Sequence, residues 1–192
     1  MTRMAAWPAA VAGAMCAAWP GGTFAQSKAI PSTPDLGKAE GQCRRNEPGP
    51  AFMVTVDGLK DRVGTLKLEV YPANKADFLA DDNVLLVAGK VFRRVEVPVP
   101  SANPVRLCIR VPGPGTYALS LLHDRDRDHK FAWTIDGIGF SNNPRLGWSK
   151  PRAAQVAIGA GAGLTAVTIT LNYRHGLGVA PLKRRSTGDG RP

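Results

Sequence analysis

Apolar and polar residues alternate with a period of two along most of this chain. Phe52, Val54 and Val56 alternate with Met53, Thr55 and Asp57, and Leu66, Leu68 and Val70 alternate with Thr65, Lys67 and Glu69. A strand sends successive side chains to opposite faces, so each run predicts a strand with one buried side. Between them, Asp57-Gly58-Leu59-Lys60-Asp61-Arg62 supplies turn chemistry and predicts a hairpin. Val91, Arg93, Val95 and Val97 alternate against Phe92, Arg94 and Glu96 until Pro98 and Pro100 end that strand. Val105–Val111 forms the next, and Pro112-Gly113-Pro114-Gly115 turns the chain into a strand carrying Tyr117, Leu119 and Leu121.

Later in the chain, Ala153–Ile158 is a short apolar run and Gly159–Gly163 a flexible turn. The closing strand is the clearest, with Val167, Ile169, Leu171 and Tyr173 facing one way and Thr168, Thr170 and Asn172 the other. Only Lys75–Ala88 has room for a helical turn. Its Phe78-Leu79, set among aspartates, reads as a loop that packs two side chains inward. About seven to eight short strands with regularly spaced turns predict an all-β chain folded as an antiparallel β-sandwich.

The flanks add a compartment. Arg3 is the sole charged side chain before Lys28, an Ala-rich apolar run follows it, and Thr23-Phe24-Ala25 offers small residues at a cleavage site. Met1–Ala25 is therefore expected to be a signal peptide, and the mature chain periplasmic or secreted. Pro8, Gly13 and Pro20 break the run, and no later apolar stretch approaches the roughly 20 residues that span a bilayer. Residues 26–50 read as an N-terminal arm, 51–174 as the β-sandwich domain, and 175–192 as a basic disordered tail. The 25 Lys and Arg outnumber the 15 Asp and Glu. Without an Arg-rich helix or an RNA-binding signature, that excess points to solubility and anionic envelope surfaces, and nucleic acid is not an expected partner.

Losing the leader removes Cys16 and leaves Cys43 and Cys108, an even pair that predicts one disulfide in an oxidising compartment. Cys108 shares the outward phase of its strand with Arg106 and Arg110, so the bridge is expected to staple the arm across the outside of a sheet.

Several of these segments occur in a telling order: Val-Thr-Val-Asp-Gly-Leu-Lys (Val54–Lys60), Gly64-Thr65-Leu66, Pro-Gly-Thr-Tyr-Ala-Leu-Ser (Pro114–Ser120), His123-Asp124, Gly-Phe-Ser-Asn-Asn (Gly139–Asn143) and Val167–Tyr173. Together they resemble the bacterial exported family called domain of unknown function 2141, over residues 51–173. The resemblance implies a β-sandwich like immunoglobulin-like or transthyretin-like modules and brings no established activity. Members commonly follow His-Asp with Asn- and Gly-rich spacing. Here His129 stands where the glycine is expected, and Ala132 where the family tends to carry another aspartate.

His123–Asn143 holds the candidate chemistry. Asp124, Asp126 and Asp128 have the spacing of calcium-loop ligands, which converge on a hard cation when the chain curls. The sixth position is His129 rather than glycine, the twelfth is Ile135 rather than an acid, and Arg125, Arg127 and Lys130 offset the acids. A polar loop held by local Asp–Arg pairs and side-chain-to-backbone bonds is the simpler reading. Calcium on the three aspartates is the alternative. His123, His129 and His175 lack zinc-site spacing.

Ser141, Asn142, Asn143 and Pro144 read as turn chemistry. A hydrolase triad of Ser141, His123 and Asp124 has no Gly-x-Ser-x-Gly elbow behind it. The aromatics Phe131, Trp133, Phe140 and Trp148 are expected to cover an open end of the core, with a ligand-facing patch as the alternative. The reading that results is a non-enzymatic exported module with no cofactor. Its structured end loop, comprising His123, Phe131, Trp133, Phe140, Ser141, Asn142, Asn143 and Trp148, binds an envelope polymer, a small apolar molecule or a protein partner.

Overall fold

The computed structural model describes residues 30–147, 149–176 and 178–182. The expected leader, Trp148 and the chain beyond Leu182 lie outside the described residues. Two sheets pack face to face. The smaller contains β1 (Ala51–Asp57), β4 (Val105–Arg110) and β8 (Leu164–Thr170) in the order β4-β1-β8. The larger runs β10-β9-β6-β5-β2-β3, built from β2 (Thr65–Pro72), β3 (Arg93–Pro98), β5 (Gly115–Asp124), β6 (Gly137–Phe140), β9 (Asn172–His175) and β10 (Gly178–Pro181). A further short strand, β7 (Ala157–Ala160), pairs with the first half of β5. Pairing is antiparallel except between β1 and β8, which run parallel in the small sheet. The expected all-β sandwich is present, and among the described residues no helix is long and apolar enough to cross a membrane.

The alternation places the core as expected. Phe52, Val54, Leu107, Ile109 and Ile169 from the small sheet meet Leu66, Leu68, Leu119, Leu121 and Tyr173 from the large one. The expected hairpin between β1 and β2 does not form, because β1 belongs to one sheet and β2 to the other. Residues 58–64 instead cross the gap of about 10 Å that separates packed sheets, with Gly58 and Gly64 at positive φ and Leu59 against the core.

The expected single closing strand also divides. At Leu171 the chain leaves the small sheet as β8 and enters the large sheet as β9, while the alternation continues unbroken. This corner presses on the inner side of β6. A Cβ on Gly139 would sit 2.7 Å from both Ile169 and the Thr170 carbonyl, and one on Gly137 would collide with the Tyr173 ring.

The large sheet carries a second layer on its outer face. Phe78, Leu85 and Phe92, with Ala153 and Val156 from the short helix α3 (Ala153–Val156), pack onto Tyr71, Ala118 and Phe140. The segment expected as a loop contains a helix, α2 (Asp82–Val87), which buries Leu85. Phe78 packs inward as expected, and Leu79 stays half-buried.

The N-terminal arm closes one side of the sandwich. Its short helix α1 (Lys38–Gly41) lies against the edge strands β3 and β4, Gln42 bridges to Ile109, and Cys43 is bonded to Cys108. Covering both edges shields their open backbone groups. Across a separation of 65 residues the disulfide contributes about 4 kcal/mol in the chain-entropy model. The expectation of a disordered tail from residue 175 fails for its first residues. Gly178–Pro181 doubles back and pairs with β9 as an edge strand.

Candidate functional site

His123 ends the inward-facing row of β5 and is fully buried. Its Nε2 lies 2.7 Å from the Val63 carbonyl, which only accepts, so the proton sits on Nε2. Nδ1 then accepts from the Tyr173 hydroxyl at 2.7 Å, and that oxygen accepts from the Lys60 amide at 3.1 Å. One imidazole thus ties β5 to β9 and to the inter-sheet crossing. Burial holds it below the usual histidine value, against the opposing pull of Val63 and Asp61. The neutral ring is the structural form.

Asp124, its neighbour, is also fully buried and closes the loop that follows. It accepts the Arg127 amide at 2.7 Å and the His129 amide at 2.9 Å. These bonds hold Arg127 and His129 at φ of 63° and 64°, so His129 adopts the left-handed conformation that glycine would take without strain. Asp136 mirrors Asp124 at the far end, accepting the Arg125 amide at 2.9 Å and the Ala132 amide at 2.8 Å.

The side-chain-to-backbone bonds expected in this loop are present. The arginine pairing is not local, because Arg125 pairs with Asp61 from the inter-sheet crossing at 2.7 Å. Burial opposes the charge on Asp61, but Arg125 and the Val63 amide together keep the carboxylate below its usual range. Asp124, Asp126 and Asp128 do converge, with oxygens within 4.8 Å of one another. Asp126 is pushed up, first by desolvation and then by the neighbouring carboxylates. Among the described residues, the candidate ligand groups are this trio and Glu96, Asp124 and His129. Neither contains a second histidine.

Ser141 does not approach His123. Its hydroxyl donates to the Val156 carbonyl and accepts from the Leu119 amide, which locks the turn after β6 onto β5 and α3. Asn142 and Asn143 take positive φ, as turn residues do. Asn142 donates to Ala157, and Asn143 donates to Thr168 and accepts from Thr170. His123 and Ser141, expected on a binding surface, are both buried where strands meet, with Ser141 bonded to backbone and His123 to the Val63 carbonyl and the Tyr173 hydroxyl.

Phe131, Trp133 and Phe140 are arranged as the alternative, an outward-facing patch, rather than as a cover. They do not cover an end of the core but border a cleft of about 620 Å³ on the outer face of the large sheet. Its floor is formed by the outward side chains of four strands: Lys67 and Glu69 on β2, Ser120 and Leu122 on β5, Ile138 and Phe140 on β6, and Val179 on β10. Phe131 and Trp133, 47% and 45% exposed, rise on one side from the loop that Asp124 and Asp136 close. Leu79, Leu146 and residues 149–151 rise on the other. The guanidinium of Arg174 stacks on Trp133 at 4.8 Å, a cation–π contact that holds the ring against β9.

Apart from Phe140, sequence reasoning missed the floor. Lys67, Glu69 and Ser120 occupy polar positions of alternating strands and read as solvent-facing. The available signal was the outward row Ala118, Ser120 and Leu122 on β5, which carries no charge and so fits a strand covered on both faces.

Neither curated proteins nor solved structures yield a match to this chain. A family described as an uncharacterized protein conserved in bacteria, DUF2141, matches over residues 54–168, within the stretch that carries the resemblance noted from sequence. That match extends from within β1 to within β8, taking in the closed loop and both walls of the cleft, and this chain belongs to that family.

Proposed function

We propose that this protein is an exported, non-enzymatic binding module whose ligand is a small apolar molecule seated in the outer-face cleft. The observation that carries the reading is the cleft itself. At about 620 Å³ it falls within the roughly 300–1,000 Å³ of small-molecule sites. Leu122, Ile138 and Phe140 line its floor, and two large aromatics stand half-exposed at its edge. Solvent-exposed aromatics around a concave apolar floor cost free energy unless something occupies them. The engagement of His123 and Ser141 in structural hydrogen bonds supports a non-enzymatic role. The apolar leader and the Cys43–Cys108 bridge support export to an oxidising compartment.

The test is displacement of an environment-sensitive apolar dye from the mature protein. Ser120→Trp places a bulky side chain on the cleft floor and is expected to abolish dye binding while leaving the melting temperature within a few degrees. Undiminished binding by that variant would remove the cleft as the site.

A further inference from the structure

We propose that the ligand of this cleft is an amphiphile with an anionic head, and that Lys67 receives the head. The inference rests on the cleft being the binding site and adds the chemistry of what fills it.

Lys67 lines both the apolar cleft and a second cavity of about 420 Å³. That second cavity is walled by charged and polar groups of both signs, Arg94 and Lys130 beside Asp81, Asp82, Glu96 and Asp128. The residue therefore marks a boundary between apolar and polar space. An amphiphile needs such a boundary, because its body and its head require opposite surroundings.

The Lys67 ammonium is the cation that both cavities share, and its donors are incompletely used. The Lys67 side chain is 12% exposed, so most of its aliphatic stem is covered. One of its three donors goes to the His129 carbonyl at 2.7 Å. The nearest carboxylate, Glu69, is 3.9 Å away and is already held by Arg94 at 2.8 Å and by the Tyr71 hydroxyl at 2.7 Å. The second cation of the cleft, Lys150, has, among the described residues, a single 3.4 Å contact, to the Phe78 carbonyl. An ammonium with donors to spare favours an anion over a neutral group and repels a cation. Leu122, Ile138 and Phe140 meanwhile call for an apolar body.

Calorimetric titration of the mature protein with dodecanoate, dodecanol and dodecyltrimethylammonium, each below its micelle-forming concentration, separates the possibilities. Dodecanoate is expected to bind at least about tenfold more tightly than dodecanol, and the margin should shrink as salt screens the charge. Lys67→Met keeps the aliphatic stem and should bring dodecanoate down to the level of dodecanol, with dodecanol unchanged. Two results would overturn the assignment: dodecanol or the cation binding as tightly as dodecanoate, or Lys67→Met weakening all ligands equally. The latter would mean that Lys67 serves only to hold the loop at His129. The salt dependence reads the same charge without any substitution. Failure of all three compounds to bind, with Ser120→Trp also without effect on dye, would overturn the cleft reading as well.

Discussion

Leu121 and Leu122 are neighbours on β5 and face opposite sides of the large sheet. Leu121 enters the core between the sheets, where alternating residues of seven strands meet. Leu122 lies under the second layer, on the floor of the cleft. The inner face is closed by a second sheet of matching periodicity. The outer face is closed by segments without period, and they cover it incompletely. A sheet covered by regular structure has a solid core, whereas one covered by loops retains space that a ligand can use.

Truncating the two leucines should separate these faces most clearly. Leu121→Ala is expected to cost ~2–5 kcal/mol, the transfer of the lost atoms plus the new cavity. Leu122→Ala should cost about 2 kcal/mol or less, because its side chain already borders open space and little new cavity is created. Urea denaturation of both variants measures the difference. Equal costs would show that the cleft floor is packed as tightly as the core and would end the contrast.

Adding atoms should expose the same asymmetry. Gly139→Ala puts a methyl group against Ile169 and the Thr170 carbonyl on the inner side of β6. A loss of ~1–3 kcal/mol is expected from overpacking. Gly159→Ala, on β7, meets nothing within 4 Å and should change stability by less than about 0.5 kcal/mol. Thermal melts of the pair check both values.

How much of this was legible follows from what alternation encodes. It reports which side of a strand is buried, so the inner residues of β1, β2, β4 and β5 were readable, as was the outward phase of Cys108 toward its partner. It says nothing about which strands pair. The β1–β2 hairpin was misread because turn residues at Asp57–Arg62 serve an inter-sheet crossing equally well. The break at Leu171 was invisible because period two continues through it. The cleft was hidden for a third reason: its walls come from Leu79, Phe131, Trp133 and Leu146, which no local pattern brings together. Burial of His123 was concealed by its polar neighbours, although as the next odd position after Leu121 it belonged to the inward row.

His123 makes the inner face sensitive to acid. Burial depresses its folded-state value, while the unfolded chain titrates near the usual value of about 6.5. On acidification the unfolded chain takes the proton first, so stability falls as pH drops below about 6.5 and the loss is complete below the folded value. Asp61 and Asp136 favour protonation, and Arg125 opposes it. Denaturation curves between pH 7.5 and 4.5 should show this fall. His123→Gln should weaken the fold by ~1–3 kcal/mol through unpaired partners and flatten the profile in that window. A profile unchanged by the substitution would place the acid sensitivity elsewhere.

The loop that raises Phe131 and Trp133 over the outer face is held by carboxylate-to-amide bonds, which predicts how it answers calcium. Asp124 gives one oxygen to Arg127 and the other to His129, and Asp136 divides its oxygens between Arg125 and Ala132. These bonds perform the chain-curling that a cation performs in a calcium loop. Millimolar calcium, compared with a chelator, should therefore leave the melting temperature unchanged. Asp124→Asn, which replaces one acceptor oxygen by an amide group, should cost ~1–3 kcal/mol. Asp126→Asn should be close to neutral or slightly stabilising, since it relieves repulsion from Asp128. A calcium-dependent rise in melting temperature that both substitutions abolish would instead make the loop a cation site. In that event the aromatic wall of the cleft would be set by an ion, and ligand binding there would depend on calcium.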